Sequence, residues 1–182
     1  MAMPLTVPRY TVDQVKAFPP DGQRYELLDG VLLVTPAPRN LHQVIGGRLF
    51  AQLFNAVEPP GWGRAVSAGE LEIGDHTLLD PDILVYPARF PVGANWKDIR
   101  LWWLAVEVYS PSSKRYDRDF KRQAYQAIGV EEVWLVDPDP RSVEVWHRAA
   151  TVPRVERERI TWQPPPAGTA VEIDLGAVFR GV

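Results

Sequence analysis

Three positions in this sequence have residue types that could act together on a hard cation or a phosphoryl group. Asp82 closes Asp80-Pro81-Asp82, just ahead of an apolar stretch. Glu107 is the only charge in the apolar run from Leu101 to Tyr109. Lys121 follows on the next amphipathic segment, four residues after Asp117 and four before Tyr125, so the three share a helix face. A carboxylate inside a buried strand is costly unless it is paired or bound to a metal. The run around Glu107 holds no basic residue, so compensation must come from a bound cation or from an Arg or Lys elsewhere in the chain. An Asp after proline marks a strand start, where turn and cap roles are also common. Lys121 by itself reads as a solvated pair with Asp117. Together, two carboxylates on neighbouring strands can present oxygens to one ion such as Mg²⁺, which is held by one or two carboxylates plus waters and phosphate oxygens. The backbone carbonyl of Val108 is a further candidate ligand. Such an ion activates water and stabilises charge on a phosphodiester, and a nearby ammonium assists.

The elements that must position these residues alternate between strands and helices. Thr11 predicts a short capped helix to about Ala17, ended by Pro19-Pro20. Arg24 to Leu28 and Val31 to Thr35 flank Asp29-Gly30, a type I′ hairpin signal. Leu41, Val44, Ile45, Leu49 and Leu53 recur at helical spacing to about Ala56, with Asn40 as the expected cap. Strands are expected at Arg64 to Ser67, Glu70 to Ile73, Asp82 to Tyr86, and centrally at Leu101 to Tyr109, buried on both faces. Pro87 to Lys97 reads as a loop, and Ser110-Pro111-Ser112-Ser113 breaks the central strand. Asp117 to Ile128 reads as a helix closed by Gly129. Val133 to Val136 is a buried strand, and Ser142 to His147 alternates as a strand with one exposed face would. One or two strands near Arg154 to Trp162 and Ala170 to Ile173, and a turn capped by Asp174, complete the chain. The pattern predicts an α/β (α+β) fold with a mixed central sheet flanked by helices.

Composition narrows the chemistry. A length of 182 residues suits a single domain spanning 1–182. With no cysteine, disulfides, thiolate zinc sites and a cysteine nucleophile are excluded. The three histidines (His42, His76 and His147) are far apart, so any metal is expected to be oxygen-bound Mg²⁺, Mn²⁺ or Ca²⁺. No apolar run approaches a membrane span, and the N-terminus lacks the pattern of a signal peptide, so a cytoplasmic protein is expected. The net charge of −3 does not advertise nucleic-acid binding, although a local basic patch can carry phosphate contacts. Lys114, Arg115, Arg118 and Arg122 form such a cluster around Lys121, with Asp117 and Asp119 as local counter-charges.

The ordered segments Tyr25-Glu26-Leu27-Leu28-Asp29-Gly30, Pro81-Asp82-Ile83, Glu107 to Ser113, Asp117-x3-Lys121-x3-Tyr125 and Gly129 to Pro138 carry a resemblance. Over about residues 10 to 150 the chain resembles the bacterial putative restriction endonuclease family, a branch of the PD-(D/E)XK nuclease superfamily. The resemblance implies a restriction endonuclease-like core of helix, three-strand meander, helix and strand, with an added N-terminal hairpin and C-terminal strands. It implies a Mg²⁺-dependent endonuclease, with Mn²⁺ as substitute, acting on DNA or another nucleic acid. Asp82 and Glu107 would be the metal-binding acids and Lys121 the catalytic lysine. In the superfamily the lysine usually stands two residues after the Glu, where this chain has Tyr109. Lys121 on the next helix matches its displaced position. His42, Glu26 and Tyr125 are the accessory candidates. His42 could contact phosphate, move a proton or cap its helix, while Glu26 could pair with Arg24 or Arg39. Two-strand cutting and the seven tryptophans suggest a homodimer or higher homo-oligomer. The rival readings are a nucleic-acid-binding or regulatory protein without catalysis, and a structural oligomer whose acids pair with arginines.

Overall fold

The computed structural model describes residues 8–36, 38–110, 113–167 and 169–182. Pro111 and Ser112, expected to break the central strand, lie outside the described residues. Helix α1 (Val12–Lys16) opens with a capping box. The Thr11 hydroxyl accepts from Gln14 N, and the Gln14 side chain accepts from Thr11 N. Strands β1 (Gln23–Leu28) and β2 (Val31–Pro36) meet at Asp29 and Gly30, with φ of 49° and 80°. Both values are positive, as a type I′ turn requires.

Helix α2 (Asn40–Val57) begins one residue earlier than expected. Asn40 therefore lies inside the helix, and Arg39 takes the cap position without a side-chain cap bond. The helix buries Ile45, Leu49, Leu53 and Val57 completely, each contributing about 1.5–3 kcal/mol. That stripe rests on strands β6 (Ile83–Pro87) and β7 (Leu104–Val108) through Ile83, Val85, Leu104, Val106 and Val108.

Strands β3 (Gly63–Ser67), β6 and β7 form an antiparallel meander in a six-stranded sheet. The sheet continues through β8 (Glu132–Asp137), β9 (Ser142–His147) and β10 (Arg154–Glu156). β7 and β8 are parallel, so a crossover must join them. It consists of α3 (Lys114–Tyr116), a π-helical turn (Asp117–Lys121) and α4 (Arg122–Ile128), ended by Gly129 at φ 99°. This is the expected helix–meander–helix–strand core.

Strands β4 (Leu71–Ile73) and β5 (Thr77–Leu79) extend the hairpin into a second sheet, in the order β2-β1-β5-β4. β5 was not legible as a strand. β9 is also more buried than its alternation suggested. Val143 and Val145 lie against β11 (Arg159–Trp162), β12 (Val171–Asp174) and α5 (Leu175–Val178), while Trp146 is buried in the opposite core under the Arg122 guanidinium. The tryptophans are used internally: Trp102, Trp103, Trp134, Trp146 and Trp162 are buried, and Trp62 and Trp96 pack at the core edges. They therefore lend no support to oligomerisation. No helix among the described residues is long and apolar enough to cross a membrane.

Candidate active site

The strand register brings the two acids together. Ile83 of β6 faces Val106 of β7, and Asp82 stands immediately before β6, beside the end of β7 that carries Glu107. Facing residues of an antiparallel pair point to the same side. Ile83, Val106 and Val108 serve the α2 core, whereas Leu84, Ala105 and Tyr109 serve the α4 core. Glu107, between Val106 and Val108, thus points to the α4 side, whereas Asp82, just outside β6, turns toward α2 and meets His42. Val108 N donates to Asp82 Oδ2 at 2.8 Å, locking the two strands at this point.

A second wall comes from β1. Arg24 and Glu26 are two residues apart and share one face of the strand. Arg24 Nη1 lies 3.1 Å from Asp82 Oδ1, and Nη2 donates to the Asp80 carbonyl. Glu26 Oε1 accepts from Asp80 N at 2.9 Å and lies 2.7 Å from Lys121 Nζ. Glu26 therefore pairs with Lys121, neither with Arg24 nor with Arg39 as the sequence had suggested.

The third wall is the crossover. Lys121 Nζ reaches Glu107 Oε1 at 2.9 Å and Asp117 Oδ1 at 3.8 Å. Its side chain is 4% exposed, which excludes the solvated surface pair. Tyr125 O–H donates to the same Glu107 oxygen at 2.5 Å. The π-turn spans Asp117 to Lys121, and such bulges are frequent where a helix must aim side chains at a site. From α2, His42 Nε2 lies 2.9 Å from Asp82 Oδ2, while its buried Nδ1 has no hydrogen-bond partner. His42 neither caps its helix nor faces bulk solvent.

These walls enclose a half-open cavity of about 260 Å³ lined by Asp82, Glu107, Lys121, Glu26, Asp117, Arg24 and His42. The balance of charge is negative. In the lining, Glu26, Asp82, Glu107 and Asp117 outnumber Arg24, Arg39 and Lys121, and Asp80 adjoins it through Arg24 and Glu26. Burial, reinforced by Glu26, raises Asp80 to about 7. Burial raises Asp117 to about 6 despite Lys121. Glu107 is pushed well up by burial, against the opposing pull of Lys121. Burial disfavours the Lys121 ammonium, but Glu107, Glu26 and Asp117 more than reverse this and hold it protonated. Burial also opposes the Asp82 carboxylate, yet His42, Val108 N–H and Arg24 outweigh it and keep its pKa low.

An oxygen-rich site with surplus negative charge fits a hard divalent cation. Among the described residues no three His, Asp or Glu side chains form a ready-made metal cluster. The Asp82–Glu107 pair matches the two-carboxylate pattern in which water and substrate fill the other positions.

A family model described as Uma2, putative restriction endonuclease, matches residues 12–176. The chain belongs to this family. Among solved structures, the chain is similar to a putative nuclease of DUF820 from Anabaena variabilis ATCC 29413. The TM-score is 0.76 at 20% identity, covering 93% of this chain and 97% of that one. The likeness gives the fold as restriction endonuclease-like. No curated protein matches the chain.

Within this Uma2 family chain, Asp82, Glu107, Lys121, Glu26, Tyr125 and His42 all converge. The expected basic cluster does not. Lys114 pairs with Asp137, Arg118 with Glu144, and Arg122 lies over Trp146. Arg115 is exposed and 3.6 Å from Asp119. None of the four lines the cavity. Tyr109, at the usual lysine position, is buried in the α4 core. Arg24, Asp80 and Asp117 were missed as site residues. The Arg24–Glu26 spacing on one strand face was the available signal.

Proposed function

We propose that this protein is a Mg²⁺-dependent endonuclease that hydrolyses phosphodiester bonds in DNA. The observation that carries this reading is the single cleft lined by Asp82, Glu107 and the buried Lys121, with Lys121 Nζ 2.9 Å from Glu107 Oε1. Asp82, Glu107 and the Val108 carbonyl would hold the ion. Bound there, Mg²⁺ or Mn²⁺ would supply Lewis-acid charge and lower the pKa of water.

The residues of the chain divide the remaining work. Lys121 is held as an ammonium by three acids, so it acts through charge and hydrogen bonding to the phosphoryl oxygens, not as a base. Glu26 and Tyr125 fix Lys121 and Glu107 in place. His42, with one nitrogen on Asp82 and the other unpartnered, is placed to pass a proton. Water adds to phosphorus and gives up a proton to His42, the bond to the leaving sugar oxygen breaks, and that oxygen takes up a proton in turn. A DNA substrate implies a cytoplasmic location, and a homo-oligomer remains part of the proposal.

Purified protein should nick supercoiled plasmid with Mg²⁺ or Mn²⁺ and stop on chelation. Asp82→Asn and Glu107→Gln should each abolish nicking while the far-ultraviolet circular dichroism stays unchanged. Nicking that survives both substitutions overturns the mechanism.

A further inference from the structure

A second half-open cavity, of about 280 Å³, adjoins the first and shares Arg24, His42 and Asp82 with it. Its chemistry is different. Beyond the shared wall it is lined by uncharged groups: Gln43, Gly46, Gly47 and Phe50 of α2, with Ser67 and Ala68 from the end of β3. Two consecutive glycines in the middle of a long helix cost stability, roughly 1 kcal/mol each against alanine. Packing does not demand both. A Cβ on Gly47 would meet nothing within 4 Å, and one on Gly46 only Val108 Cγ2 at 4.0 Å. Phe50 is partly buried at the edge of the α2 core. Gln43 is exposed one turn away.

A small-residue floor, an aromatic wall and uncharged hydrogen-bonding groups suit a flat, uncharged, hydrogen-bonding ligand. A nucleobase has that chemistry: base–aromatic stacking is tolerant of sequence, and Gln amides pair with base edges. The charged cavity suits the phosphate, and the two are contiguous at Asp82. We propose that the cavity along Gly46, Gly47 and Phe50 takes the base of the nucleotide next to the scissile phosphate. That base must be unstacked, in a single strand or turned out of a duplex, because a base inside a duplex has both faces covered by its neighbours and cannot lie against Phe50. The proposal rests on the nuclease reading and adds the form of nucleic acid the site accepts.

The test is fluorescence anisotropy with labelled (dT)8 and a sugar–phosphate chain of equal length lacking bases, both in Ca²⁺ to suppress cutting. Wild type should bind (dT)8 about tenfold more tightly than the abasic chain. Phe50→Ala and Gly47→Leu should each remove that preference without altering binding of the abasic chain. Gly47→Leu guards against a folding artefact, since its side chain enters open space and the helix gains propensity. Equal binding of the two chains by wild type, or (dT)8 binding unaffected by Gly47→Leu, overturns the base site while leaving the nuclease reading standing. Failure of wild type to bind either chain overturns the base site too, and absence of plasmid nicking in the same preparation brings down the nuclease reading separately.

Discussion

Lys121 reaches Glu26 at 2.7 Å, and this contact ties the helix after β7 to the N-terminal hairpin. Both side chains are almost wholly buried. Losing one partner of a buried pair leaves an uncompensated charge, at a cost of about 3–5 kcal/mol. Lys121→Met also strands Glu107, so the substitution should destabilise by that amount in urea unfolding. Adding Glu26→Gln to Lys121→Met should recover part of the loss, because one unpaired acid disappears. A double variant no more stable than the sum of the single changes would mean that the two residues are not coupled.

Arg24 occupies one side of Asp82 that a cation would otherwise face. Arg24→Gln removes a competing positive charge from the cleft while keeping a hydrogen-bond donor. Mg²⁺ affinity, measured by calorimetry, should rise by roughly tenfold, as one unit charge a few ångströms away warrants after screening. Unchanged or weaker Mg²⁺ binding would show that Arg24 supports the ion's site instead of competing for it.

The elements around this site were legible where the signal is local. The Asp29-Gly30 turn, the apolar stripe of α2, the central strand with Glu107 and the Gly129 stop all follow from residues within a few positions of one another. The i,i+4 spacing placed Lys121 and Tyr125 on one face, and both reach Glu107. What was hidden depends on distant pairing. β5 has three residues, and its place is set by Leu78 facing Leu27. The partner of Glu26 is Lys121, on an element far along the chain, and nothing in Arg24-Tyr25-Glu26 announces it. Likewise β9 reads as half exposed because the segments covering it come later in sequence.

Asp80 lends the cleft a pH dependence. Its pKa rises from the ordinary 3.8 to about 7, chiefly through burial, and Oδ1 has no hydrogen-bond partner. For an acid with a raised folded-state pKa, both states are protonated below about 4, and no penalty exists there. Between about 4 and 7 the unfolded chain loses its proton first, so stability falls as pH rises, and the loss is complete above the folded pKa. Asp117, raised to about 6, adds a loss of the same sign over a narrower window. Asp80→Asn should match wild type near pH 4 and be more stable above pH 7, by up to about 4 kcal/mol. Denaturant unfolding across this range checks it, and a pH-independent difference would assign the effect to packing.

Tyr125 donates its hydroxyl proton to Glu107, and burial together with Glu107 pushes its own pKa well up, so the proton stays on the phenol. Tyr125→Phe removes a hydrogen bond to an ionised group, worth about 1.5–3 kcal/mol. Burial already raises Glu107, and losing the donor raises it further. The carboxylate form is the one that suffers, so the cost should be smaller at pH 4 than at pH 8, growing as Glu107 loses its proton. Because the carboxylate is also the proposed metal ligand, Mg²⁺ binding should begin at higher pH than in wild type. Unfolding and calorimetry at both pH values read the two effects independently. An equal loss of stability at pH 4 and pH 8, with unshifted Mg²⁺ binding, would reduce Tyr125 to a packing residue.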